Sequence, residues 1–141
     1  MKTPYPDPQV VNEGCRFVPR VQLARPGAPT RTSSKDPLLH TTNAQQDGGR
    51  TLFNVGLPVP GLVVTRPLNG AGLVRLTCNT HTWMRGYLHV TDELLHYFED
   101  GGASTAFVAQ DLYAQVRPLM GDRLKHAIVA TGSFPVRPPI E

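Results

Sequence analysis

From residue 10 to residue 91 apolar and polar side chains alternate with a period near two, and that pattern predicts a series of short, half-buried β-strands. The clearest runs over residues 73–78, where Val74, Leu76 and Cys78 share one face and Arg75 and Thr77 take the other. Cys78 is therefore expected to point inward at the end of its strand. Residues 86–91 repeat the pattern, with Leu88 and Val90 on one face and Tyr87 and His89 opposite, so the two strands bracket a short loop. Residues 15–23 set Cys15, Phe17, Val21 and Leu23 against Arg16, Arg20 and Gln22, which places Cys15 in the core. Pro19 interrupts this strand, and because it cannot donate to a ladder it predicts an edge or a bend.

Residues 28–36 form a weaker candidate strand, whose inward positions are only Ala28, Thr30, Thr32 and Ser34. Pro26-Gly27, Asp47-Gly48-Gly49 and the Pro58/Pro60/Gly61 cluster mark turns, with further strands over 51–55 and 62–65. Past Thr91 the texture changes. Residues 93–98 read as a brief helical turn, and Val108, Leu112 and Val116 at four-residue spacing predict an amphipathic helix near 104–117. The apolar residues 127–130 and the proline-rich 135–139 predict no definite element. The division expected is a tail at 1–9, an all-β domain at 10–92, and a partly helical extension at 93–141.

A chain of 141 residues that is 40% hydrophobic supports one packed core and not a two-domain enzyme. Its 14 prolines and 13 glycines are scattered between apolar runs, as a turn-rich β domain requires. The net charge of +3 contains no block of like charges, so nucleic-acid binding is not expected; Arg16, Arg20, Arg25 and Arg31 read as solvated strand positions. No apolar run is long enough to span a membrane, and the proline-punctuated N-terminus does not read as a secretory signal.

The candidate chemistry lies in the loop between the two clear strands, Cys78-Asn-Thr-His81-Thr-Trp-Met84-Arg-Gly86. It brings a thiol, an imidazole and a thioether together. Two imidazoles and a thiolate with a weak axial methionine are the donor set of electron-transfer copper sites, and the loop supplies one imidazole. His40, which follows Asp36-Pro37-Leu38-Leu39 where a loop would turn back into a strand, is the best source of the second; His89, His96 and His126 read as surface histidines. A Cys15–Cys78 disulfide would leave His81 and Met84 unexplained. Zinc would need a fourth nitrogen, sulfur or carboxylate donor, since structural zinc rarely uses methionine.

The loop resembles the copper loop of the cupredoxins, sharing Cys-x2-His-x2-Met followed by Arg-Gly. Lys35 to His40 is similar to the segment that carries the family's first histidine, and Arg16-Phe17-x-Pro19 to the strand before it. The resemblance spans residues 10 to 91 and implies an all-β, cupredoxin-like Greek-key sandwich holding one type 1 (blue) copper ion. The ion would cycle between Cu(I) and Cu(II) on His40, Cys78, His81 and Met84. It further implies an electron carrier and not an enzyme, with an electron port at His81 ringed by Trp83, Leu38 and Pro58, redox proteins as partners, and a periplasmic or otherwise extracytoplasmic location. Ser34 stands where the family has an asparagine that braces the ligand loop, and the strand that contains it lacks the family's apolar residues. Nothing beyond Thr91 resembles the family. A copper chaperone or sensor, and a metal-free scaffold used for interaction, are the alternatives.

Overall fold

The computed structural model describes residues 6–91, 105–117 and 126–130. Two sheets enclose the core. The first has four strands in the order β2-β1-β4-β7, formed by β1 (Gln9–Asn12), β2 (Phe17–Val18), β4 (Pro29–Ser34) and β7 (Val63–Pro67). The second has five in the order β3-β9-β8-β5-β6, formed by β3 (Val21–Ala24), β5 (His40–Gln46), β6 (Thr51–Leu57), β8 (Gly72–Thr77) and β9 (Arg85–Val90). Most neighbours pair antiparallel, while β1 with β4 and β3 with β9 are parallel. Parallel neighbours cannot be joined by a hairpin, so the chain crosses between sheets to make them. The result is an all-β sandwich.

The expected alternation appears where burial on one face drives it. Val74, Leu76 and Leu88 are fully buried, Cys78 is buried beyond the end of β8, and Arg75 and His89 face solvent. Pro19 acts as its chemistry predicts: the run divides there into β2 and β3, which are edge strands of different sheets. Thr30, Thr32 and Ser34 of β4 do face inward and are completely or almost completely buried. The first sheet consequently contributes a partly polar inner face, tied across the sandwich by Asn12, whose Nδ2 donates to Ser33 O (3.0 Å) and to Thr42 Oγ1 (3.2 Å).

Two sequence expectations need correction. Gln22 is buried instead of exposed, because its side-chain amide spans to the backbone of Gln9, accepting from the N–H (3.1 Å) and donating to the carbonyl (2.8 Å). The helix expected near 104–117 is shorter: residues 105–109 form β10 (Thr105–Ala109), and only α1 (Gln110–Val116) is helical. β10 pairs in parallel with β11 (His126–Ala130), and pairing fixes as strand a segment whose four-residue spacing alone suggested helix. The helical turn expected at 93–98 and the prolines at 135–139 lie outside the described residues.

α1 packs on β3. The Gln115 side chain accepts from Leu23 N–H (2.9 Å) and donates to Val21 carbonyl (3.5 Å), so this part of the chain occupies the free backbone edge of the five-stranded sheet. Covering an edge in this way removes a site for unwanted strand pairing. No helix among the described residues is long and apolar enough to cross a membrane.

Candidate metal centre

The register of the five-stranded sheet assembles the site. Asn43 of β5 is opposite Thr77 of β8, so the start of β5 and the end of β8 meet at one end of the sheet. His40, the first residue of β5, points inward with Thr42 and Ala44 and is completely buried. Cys78 follows β8 on the face of Val74 and Leu76. Residues 78–84 then close the connection to β9, with Met84 N–H donating to His81 carbonyl (3.0 Å) and the Arg85 guanidinium to Thr82 carbonyl (2.6 Å) and Met84 carbonyl (2.9 Å).

This brings together side chains that lie far apart in sequence. Cys78 Sγ is 3.9 Å from His40 Nδ1 and 3.6 Å from His81 Nδ1, and the two imidazole centroids are 4.7 Å apart. Met84 is 2% exposed and belongs to the same core cluster as Cys78, alongside Leu76 and Phe17. His81 is half-buried, and its outer side meets Trp83 edge-on at 5.1 Å. Trp83 is 66% exposed. Leu38 and Leu39 are also exposed, with the Leu39 carbonyl 3.3 Å from Thr80 Oγ1, so an apolar rim borders the loop. Pro58 is exposed next to Leu57, the register partner of His40.

Hydrogen bonds converge on the sulfur. Thr41 N–H approaches Cys78 Sγ at 3.4 Å, Thr41 Oγ1 at 3.7 Å and Thr80 Oγ1 at 3.3 Å. Burial pushes the Cys78 thiol up, but the Thr41 N–H, the Thr80 hydroxyl, His40 and the His81 backbone together outweigh it and bring the thiol down to about 5. The pocket thus favours a thiolate.

The His40 ring is held from behind. Its Nε2 lies 2.8 Å from Asp36 Oδ2, and the Asp36 carboxylate also accepts the N–H groups of Gly14 (2.8 Å) and Cys15 (3.0 Å). The backbone bonds from Cys15 and Gly14 hold the Asp36 carboxyl below its usual range against a weaker upward push from burial, and His40 adds to the effect. Ser34, expected to brace this region, is buried; its Oγ donates to Asn12 carbonyl (3.4 Å) and accepts from Asp36 N–H (3.1 Å). Its connection to His40 therefore runs through Asp36.

Cys15 is the main departure from expectation. It is half-buried in a tight turn, with φ of +54°, and packs against the core cluster from its edge instead of lying inside it. One ligand atom from each of Cys15, His40 and His81 lies within 4.8 Å of the others. Neither cysteine is in a disulfide. Asp36, Thr41 and Thr80 were likewise not singled out in the sequence. An Asp four residues before the candidate histidine is a usable signal for the first, and the loop spacing Cys78-x-Thr80 for the last; Thr41 acquires meaning only from sheet register.

No protein-family model and no curated protein matches the chain. Solved structures do. The chain is similar to a purple cupredoxin from Nitrosopumilus maritimus (TM-score 0.53, 19% identity, covering 60% of this chain and 100% of that one). It is also similar to amicyanin from Paracoccus versutus (TM-score 0.53, 15% identity, covering 63% and 85%) and to a reduced amicyanin mutant (TM-score 0.52, 15% identity, covering 60% and 81%). The sandwich has the cupredoxin fold.

Proposed function

We propose that this protein is a mononuclear type 1 copper protein that carries single electrons, with His40, Cys78 and His81 as principal donors and Met84 as the weak axial one. The observation that carries this reading is the spacing of one sulfur and two Nδ1 atoms, at 3.9 and 3.6 Å. Donors that share one metal at about 2.3 Å (sulfur) and 2.0–2.1 Å (nitrogen) stand roughly 3.6–3.8 Å apart, so this set fits an ion with little movement. Copper supplies one-electron exchange between Cu(I), which favours sulfur, and Cu(II), which favours imidazole.

The remaining residues have definite work in this reading. Asp36 holds His40 by Nε2 and leaves Nδ1 turned toward Cys78, and Ser34 supports Asp36 from behind. The Thr41 N–H and Thr80 hydroxyl stabilise the thiolate and help set the potential. Burial of His40, Cys78 and Met84 keeps water from the donors and limits rearrangement. His81 is the route out, with Trp83, Leu38 and Pro58 forming the surface on which a redox protein docks. Residues 10–92 are the copper domain and 93–141 an extension of it, and an extracytoplasmic location suits this chemistry.

The test is addition of Cu(II) to the metal-free protein, followed by visible spectroscopy. An intense thiolate-to-copper band is expected from the full chain and is absent from Cys78→Ser. A colourless product, or a band that survives Cys78→Ser, overturns the reading.

A further inference from the structure

The metal-ligating geometry does not end with the expected four residues. Cys15, His40 and His81 each place one ligand atom within 4.8 Å of the other two, while Cys78 Sγ approaches Nδ1 of the same two imidazoles. Both thiols therefore lie close to the same two histidines. We propose that Cys15 is a second sulfur donor of this pocket, giving it a Cys2His2 set that takes four-coordinate Zn(II) or Cu(I). The proposal deepens the reading of the same site as a metal centre.

Distance permits it. A point equidistant from the corners of a triangle with sides of 4.8 Å lies about 2.8 Å from each, against metal–ligand lengths of about 2.3 Å for sulfur and 2.0–2.1 Å for nitrogen. The three groups need close by well under an ångström each, which side-chain torsions supply. The backbone gives Cys15 a fixed place from which to do so. Residues 13–16 form a turn closed by Glu13 N–H on Arg16 carbonyl (2.9 Å), and the Asp36 carboxylate that receives Cys15 N–H also receives His40. One acidic group thus fixes the turn carrying Cys15 relative to the ring of His40.

Chemistry favours the same outcome. Two thiolates and two imidazoles in a tetrahedron are a characteristic zinc set, and soft thiolates also select Cu(I). Against zinc, the sequence offered Cys78, two histidines and a methionine, one good donor short. Cys15 supplies that donor. Cys15 is half-buried and Cys78 buried, and both are free thiols, so both are available to one ion.

The experiment uses the full, reduced, metal-free chain and Co(II), an ion that occupies zinc-type sites and whose sulfur-to-metal absorption rises with the number of thiolates bound. Wild type binds one Co(II). Cys15→Ala still binds it but loses about half of the sulfur-to-cobalt intensity, and Cys78→Ala likewise keeps about half, since each removes one of two thiolates. Zn(II) competition against a chromophoric chelator shows at least about a tenfold weaker affinity for Cys15→Ala. A Cys15→Ala spectrum equal to wild type, a Cys78→Ala protein with no sulfur-to-cobalt band, or no Co(II) binding overturns the assignment. The copper reading fails separately: a wild-type protein with no blue Cu(II) band but two-thiolate Co(II) absorption sinks the electron carrier and upholds Cys15. A blue band with one-thiolate Co(II) absorption does the reverse.

Discussion

Asp36 joins three parts of the protein through one carboxylate, which makes Asp36→Asn an informative perturbation. The carboxylate accepts from Gly14 N–H at 2.8 Å and Cys15 N–H at 3.0 Å and meets His40 Nε2 at 2.8 Å, with its side chain only 14% exposed. A hydrogen bond to a charged group contributes about 1.5–3 kcal/mol and a neutral one about 0.5–1.5. Asn retains one neutral acceptor and turns an N–H2 toward a donor, so a loss of about 2 kcal/mol is expected, equivalent to a fall in Tm of roughly 5–8 °C for a chain of this size. Urea denaturation of the metal-free protein measures it. The pH dependence has a definite sign: the folded carboxyl lies below its ordinary value, so its contribution is complete above the unfolded value of about 3.9 and is lost as pH falls through the lower folded one. The gap between wild type and Asp36→Asn should be full at neutral pH and shrink on acidification below about pH 4. A gap that is unchanged by acidification, or under about 0.5 kcal/mol at neutral pH, would falsify the assignment of the carboxylate charge as the link.

Leu76→Ala opens a cavity in the core beneath Cys78 and is expected to cost about 2–5 kcal/mol by denaturant titration; a loss under 1 kcal/mol would mean that the sandwich closes around the gap. In Gly86→Ala the new Cβ would meet Arg20 O at 3.2 Å, Phe17 Cβ at 3.2 Å and Leu76 Cδ1 at 3.3 Å, so about 1–3 kcal/mol of overpacking is expected in the same assay. An equally stable variant would show that β9 can move away from β2. Trp83→Ala removes an exposed ring and should leave stability within about 0.5 kcal/mol while slowing electron exchange with a protein partner, measured by stopped flow. Unchanged exchange would move the docking surface elsewhere.

Alternation along residues 73–78 aims Cys78 inward because neighbouring side chains on a strand take opposite faces, and this much is a property of the sequence alone. The same holds for the Pro19 break and for the close placement of Cys78, His81 and Met84, which follows from local spacing. That His40 joins them was suggested by its position after a turn, but its distance from Cys78 comes from the pairing of β5 with β8. Thr41 became a sulfur partner, and Gln22 became buried, for the same kind of reason: each depends on a neighbour remote in the chain, whereas Thr80 meets the sulfur from two residues away in the same loop. Parallel pairing with β11 likewise made residues 105–109 a strand. The alternation put Cys15 in the core, yet the turn at 13–16 lifts it out of the strand pattern and turns it toward the histidines. Periodicity decides which face a side chain takes within one element; only the packing of elements decides which other side chains it will meet there.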